Sequence, residues 1–163
     1  MQANIIDLSD EPEHITTLAE WHHAEWAHLN PGDSLEQRIE RMKGYLANDL
    51  VPSTFVCKHQ GQLAGSAAII VSDMDTRPEL TPWLASVFVA PPFRRLGIGS
   101  KLVRHVMSQA KQAGIANLYL FTPDQAAFYQ RLGWTTMALD DYRGCRVTVM
   151  QASLLSEKVS THQ

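Results

Sequence analysis

The stretch Ser86-Val87-Phe88-Val89-Ala90-Pro91-Pro92-Phe93-Arg94-Arg95-Leu96-Gly97-Ile98-Gly99-Ser100-Lys101-Leu102 decides the fold. Its first part is apolar and suits a buried strand, which Pro91 and Pro92 close because proline has no amide to give a ladder. Beyond the glycines, Leu102, Val106 and Ala110 form one apolar row and Val103 and Met107 the next, which predicts an amphipathic helix from about Ile98 to Gln112. Gly114 is placed to end it. The first amides of a helix have no internal acceptors and carry partial positive charge, so this turn can serve as an anion site, the alternative being that Gly97 and Gly99 only shape a strand-to-helix turn. Gly97 and Gly99 let a bulky anion approach the backbone. A dinucleotide fingerprint would need a glycine where Leu102 stands, and a Walker loop would need Gly-Lys-Ser where Gly99-Ser100-Lys101 stands.

Upstream, Ile5, Ile6 and Leu8 predict a short first strand. A helix follows from the Ser9-Asp10-Glu11-Pro12 start to about residue 29, with Ile15, Leu18, Ala19, His22 and Trp26 at helical spacing. After the turn Asn30-Pro31-Gly32-Asp33, Ser34 and Gln37 can cap a second helix with Leu35, Ile39, Met42 and Leu46 on one face. Residues 54–58 and 63–72 read as a hairpin, residues 73–82 as a polar loop, and residues 83–90 as a buried strand. Downstream come a strand at 118–121, a helix at 123–132 stopped by Gly133, and two strands at 134–139 and 146–151. The order is β-α-α-β-β-β-α-β-α-β-β, a mixed α/β domain in which 87–120 is a crossover unit joining parallel strands. One domain over 1–152 is expected, followed by a polar tail at 153–163.

The Arg-x-x-Gly-x-Gly of Arg94–Gly99 after a Val-x-Pro strand end resembles the coenzyme A signature of the GNAT family of N-acetyltransferases. Ala127-Phe128-Tyr129-Gln130-Arg131-Leu132-Gly133-Trp134 is similar to that family's second signature, and the two signatures stand about 30 residues apart with a helix and a strand between them, as is usual in the family. The resemblance implies a mostly antiparallel twisted sheet flanked by helices, acetyl-CoA as cofactor, and transfer of its acetyl group to a primary amine of a small molecule or peptide. It implies that the backbone of Val87, Phe88 and Val89 meets the pantetheine arm, that the turn of Arg94, Arg95, Leu96, Gly97, Ile98, Gly99 and Ser100 meets the diphosphate, and that Thr122, Gln125 and Phe128 flank the cofactor. Thr122 stands where the family commonly has asparagine and Gln125 where a small residue is usual; threonine still donates and accepts.

By the same resemblance Tyr129 is the general acid. The chemistry asks for one, because the departing sulfur takes a proton, and a phenol with a reference pKa of about 10 can serve a thiolate with a reference of about 8.5. The attacking amine must be neutral, which asks for a base. The family often places a carboxylate on the strand before the glycine turn, but Pro82-Trp83-Leu84-Ala85 offers none. Asp73, Asp75 and Glu79 lie in the preceding loop, and Glu79 is the preferred base; His22 or His23 on the first helix is the other choice. Acceptor specificity in this family resides in the first two helices and the loop before the central strand, which here offer His22, His23, Trp26 and Trp83.

The bulk properties fit this reading. The 163 residues suffice for one ordinary core, with 45% apolar and 19% charged residues. A net charge of −3 supplies no basic excess for nucleic acid. Met1 to Leu8 lacks a signal-peptide pattern and no run of 18 apolar residues exists, so a cytoplasmic chain with no membrane partner is expected. Cys57 and Cys145 have no metal-ligand spacing, and among His14, His22, His23 and His28 no His-Glu-x-x-His spacing exists, His22 and His28 being six apart and off one helical face. Edge strands near the C-terminus could pair two chains into a homodimer. The competing class is a non-catalytic acyl-CoA-binding sensor, against which Tyr129 argues.

Overall fold

The computed structural model describes residues 3–46 and 49–154. Seven strands form one sheet in the order β1-β2-β3-β4-β5-β7-β6. They are β1 (Ala3–Asp7), β2 (Ser53–His59), β3 (Gln62–Ile70), β4 (Trp83–Val89), β5 (Asn117–Thr122), β6 (Thr135–Tyr142) and β7 (Cys145–Ser153). Four helices flank the sheet: α1 (Ile15–Trp26), α2 (Leu35–Lys43), α3 (Ile98–Gln112) and α4 (Ala126–Arg131). The predicted order of elements is therefore the observed one, and β4–β5 is the parallel pair in an otherwise antiparallel sheet.

Alternation along β2 shows how the layers form, because successive side chains leave a strand on opposite faces. Phe55 and Cys57 join the core under α3 with Leu102, Val103 and Val106. Val56 points the other way, into the cluster of Leu18 and Ala19 from α1 and Met42 from α2. The central strand β3 is covered on both faces, which its run of Ala64, Ala67, Ala68 and Ile69 allows. Gly65 is required there: a Cβ at that position would lie 2.6 Å from the Phe88 carbonyl of β4.

Local chemistry sets the element ends. Ser34 Oγ accepts from the Gln37 amide at 3.1 Å while Gln37 Oε1 accepts from the Ser34 amide at 2.8 Å, a complete capping box for α2. α4 starts three residues later than the proline suggested, because Thr122 Oγ1 accepts the Gln125 amide at 3.0 Å and holds 122–125 in a turn. The first helix is interrupted: short 3-10 turns at Pro12–His14 and Ala27–Leu29 bracket α1. The loop at 73–82 is less polar in its packing than in its composition, since Met74 and Leu80 are buried beside Trp83.

Cys57 and Cys145 are unpaired. β6 is an edge strand and exposes Met137 and Leu139. Of the tail at 153–163, Ser153 ends β7 and Leu154 is buried, its amide donating to Ala116 O at 2.7 Å; 155–163 lies outside the described residues. Among the described residues, no helix is long and apolar enough to cross a membrane.

Candidate active site

Two irregularities in β4 open the site. Ser66 pairs with Phe88 and Ala68 with Ala85, so Ser86 and Val87 stand opposite Ala67 in a β-bulge, with Ser86 at φ +54. On its other side β4 meets β5 through one register pair, Trp83↔Tyr119, after which the two strands part. Ligands in open α/β sheets bind in such a crevice beyond the carboxyl ends of parallel strands. Here the parting strands open onto a cleft of about 1300 Å³, lined by Leu84 to Val87 on one side and Leu120 to Gln125 on the other.

Tyr129 lines this cleft and is only 8% exposed. Burial, reinforced by the charge of Asp124, pushes its phenol well above the ordinary tyrosine range, so it stays protonated. Its ring packs against Trp134 and against Phe128, the latter with centroids 4.9 Å apart. Phe128 in turn touches the glycine turn, since a Cβ on Gly99 would be 3.5 Å from its ring and 3.7 Å from Val89. The head of α3, the end of β4 and α4 thus converge, and one aromatic ring separates Gly99 from Tyr129.

The turn has the shape of an anion cradle. Arg95 and Gly97 adopt left-handed φ of +66 and +79, and nothing lies within 4 Å of where a Cβ on Gly97 would be. Among the described residues the amides from Arg95 to Ser100 have no acceptor, and the α3 ladder starts with Lys101 donating to Gly97 O at 3.0 Å. Arg94 is turned away from the amides: Nε donates to Val89 O at 2.7 Å and the guanidinium lies over Phe88. Leu96 is exposed and Ile98 buried.

Val87, Thr122, Gln125, Tyr129, His22 and Trp26 share the cleft wall. Phe88 is buried among Trp21, His22 and Trp26, and Val89, Phe128 and the turn adjoin the cleft without lining it. His23 and Glu79 lie outside its wall, Glu79 exposed. Trp83 is fully buried in the core, its indole N–H donating to Leu80 O at 2.6 Å. His22 is buried too: its pKa is lowered to about 3 by burial, then by Arg38. It is therefore neutral, with Nε2 2.9 Å from Ser66 Oγ, whose hydroxyl donates to Ser86 O at 3.1 Å. This buried chain ties α1 to the β4 bulge.

Sequence reasoning missed most of the far wall. Arg38 and Arg41 of α2 and Arg143 after β6 line the cleft with Glu25, Asp33 and Asp73. Asp73, one of the loop carboxylates considered beside Glu79, has its pKa raised to about 7 because surrounding protein desolvates it, against the opposing pull of Arg38, Arg143 and Arg41. The spacing of Arg38 and Arg41, three apart and flanking the apolar row of α2, was the available signal.

Comparison with known proteins adds an independent line. The family model described as acetyltransferase (GNAT) family matches residues 15–134. A GNAT-family acetyltransferase from Staphylococcus aureus Mu50 superposes with a TM-score of 0.69 at 19% identity, covering 93% of this chain and 99% of its own. YncA from Salmonella typhimurium, solved with its cofactor acetyl-CoA, gives 0.70 at 19% identity over 94% and 95%. N-acetylglutamate synthase from Neisseria gonorrhoeae, complexed with coenzyme A and N-acetyl-glutamate, gives 0.66 at 18% identity over 94% of this chain and 35% of its own. At these identities the likeness is one of fold. No curated protein matches the chain.

Proposed function

The chain belongs to the acetyltransferase (GNAT) family, and from that premise we propose that it transfers the acetyl group of acetyl-CoA to a primary amine. The observation that carries this reading is the convergence just described: unpaired amides at the head of α3, a cleft where β4 and β5 part, and protonated Tyr129 between them. The residues fit the cofactor. The amides of Arg95 to Ser100 would hold its diphosphate, each bond to a charged acceptor contributing roughly 1.5–3 kcal/mol. Val87 and Thr122 on the two parting strands would flank its arm.

Bound acetyl-CoA would supply a thioester whose acyl carbon takes the amine lone pair while the carbon–sulfur bond breaks onto sulfur. Tyr129 holds a proton for that sulfur, and its buried surroundings keep the proton in place until it is needed. Asp73 is the base we favour over Glu79. It lines the cleft, and a carboxylate titrating near neutrality takes up the amine's proton better than an ordinary one. The β4 bulge, fixed through Ser66 and His22, keeps the strand backbone turned toward the cleft.

The test is thiol release from acetyl-CoA across a panel of amines. Turnover by the wild type that drops at least a hundredfold in Tyr129→Phe supports the reading. Undiminished turnover in that variant removes Tyr129 from the mechanism.

A further inference from the structure

The acceptor half of the cleft carries the arginines Arg38, Arg41 and Arg143, but they are not equivalent. Arg41 makes a two-bond fork to Asp33, at 2.8 and 3.1 Å. Arg143 donates to Asp75 at 3.2 Å and to Asn30 and Leu29 O. Arg38 has no carboxylate within ion-pair distance among the described residues. Among the described residues its guanidinium makes one polar contact, a long one, Nη1 to His22 Nδ1 at 3.5 Å, and its Nε is buried without an acceptor. A half-buried guanidinium facing a neutral imidazole is costly unless an anion joins it.

We propose that the acceptor is an amine that carries a carboxylate, as a free amino acid does, and that Arg38 binds this carboxylate. This rests on the acetyltransferase reading above. The planar fork of arginine matches a carboxylate by two parallel bonds. One uncommitted cation calls for a single negative charge. A doubly charged phosphate would exceed it on a wall that already holds Glu25, Asp33 and Asp73. A polyamine would meet Arg38, Arg41 and Arg143 with charge of their own sign. Asp73 and Tyr129 line the same cleft, so the amine end has its base and its acid within the cavity that holds the carboxylate site.

The experiment is calorimetric titration of CoA-saturated protein with three probe sets: N-acetyl amino acids, the same compounds as primary amides, and N-acetyl aminoalkylphosphonates. At least one acid is expected to bind, with its amide at least tenfold weaker. Arg38→Gln is expected to weaken the acid tenfold to a hundredfold and to abolish the preference over the amide. Arg38→Lys is expected to keep only part of the affinity, since a point charge cannot reproduce the fork. CoA binding by each variant reports that it is folded. Equal binding of acids and amides, preference for the phosphonate, no acid binding at all, or a preference that survives in Arg38→Gln each overturn the proposal. A wild type that fails to bind CoA contradicts the acetyltransferase reading itself and takes this inference with it.

Discussion

Tyr129 and Asp73 line the same cleft, and burial shifts both in the direction that the acid and base roles proposed for them require. Raising the phenol keeps a proton available; raising the carboxylate makes it a stronger base. Asp73 must be ionised to accept a proton, so kcat is expected to fall as pH drops below about 7, whereas an ordinary carboxylate would hold the plateau down to about pH 5. Asp73→Asn is expected to lower kcat at least tenfold and to remove that limb. The same residue affects stability. In the unfolded chain it titrates near 4 and in the fold near 7, so between these values the folded state binds the extra proton. Stability contributed by that proton is lost as pH rises from about 4 to about 7, and the deficit is constant above. Asp73→Asn should therefore melt higher than wild type at pH 8 and alike at pH 4. Equal melting at pH 8 would mean that Asp73 is well solvated and is not the base.

At the scale of elements, the glycines of the turn and the sheet make separable predictions. Gly97 sits at φ +79 in open space, so Gly97→Ala meets no clash but carries a left-handed penalty of about 1–2 kcal/mol and tilts the amides beside it. Acetyl-CoA binding is expected to weaken about tenfold. Gly65→Ala instead forces a methyl against the Phe88 carbonyl, and thermal melts should show a loss of roughly 1–3 kcal/mol from the β3–β4 pairing. If Gly65→Ala melts like wild type, the close approach of these strands is wrong. α3 was legible in the sequence to its ends because its apolar rows, glycine start and glycine stop agree. α4 was not, because Pro123 signals a helix start while the Thr122 hydroxyl holds the following residues in a turn. The β4 bulge also escaped notice, since two residues facing one is a property of the pairing and not of either strand.

For the molecule as a whole, the two glycine-anchored segments carried nearly all of the functional signal. They lie about 30 positions apart in the chain and meet through Phe128, which touches both Gly99 and Tyr129. The far wall of the cleft assembles from α1, α2, the loop at 73–82 and the turn after β6, segments separated by up to 121 positions from His22 to Arg143. No local pattern records that meeting, and Trp83 was read as a binding aromatic although it is core. Every role proposed for these residues depends first on whether this fold takes the cofactor. Calorimetric titration with acetyl-CoA, with CoA and ATP as comparison ligands, tests it most directly. Saturable binding of acetyl-CoA and CoA with none of ATP is the predicted result. Absence of acetyl-CoA binding by folded protein would contradict the account and reduce Arg94 to Gly99 to a structural turn.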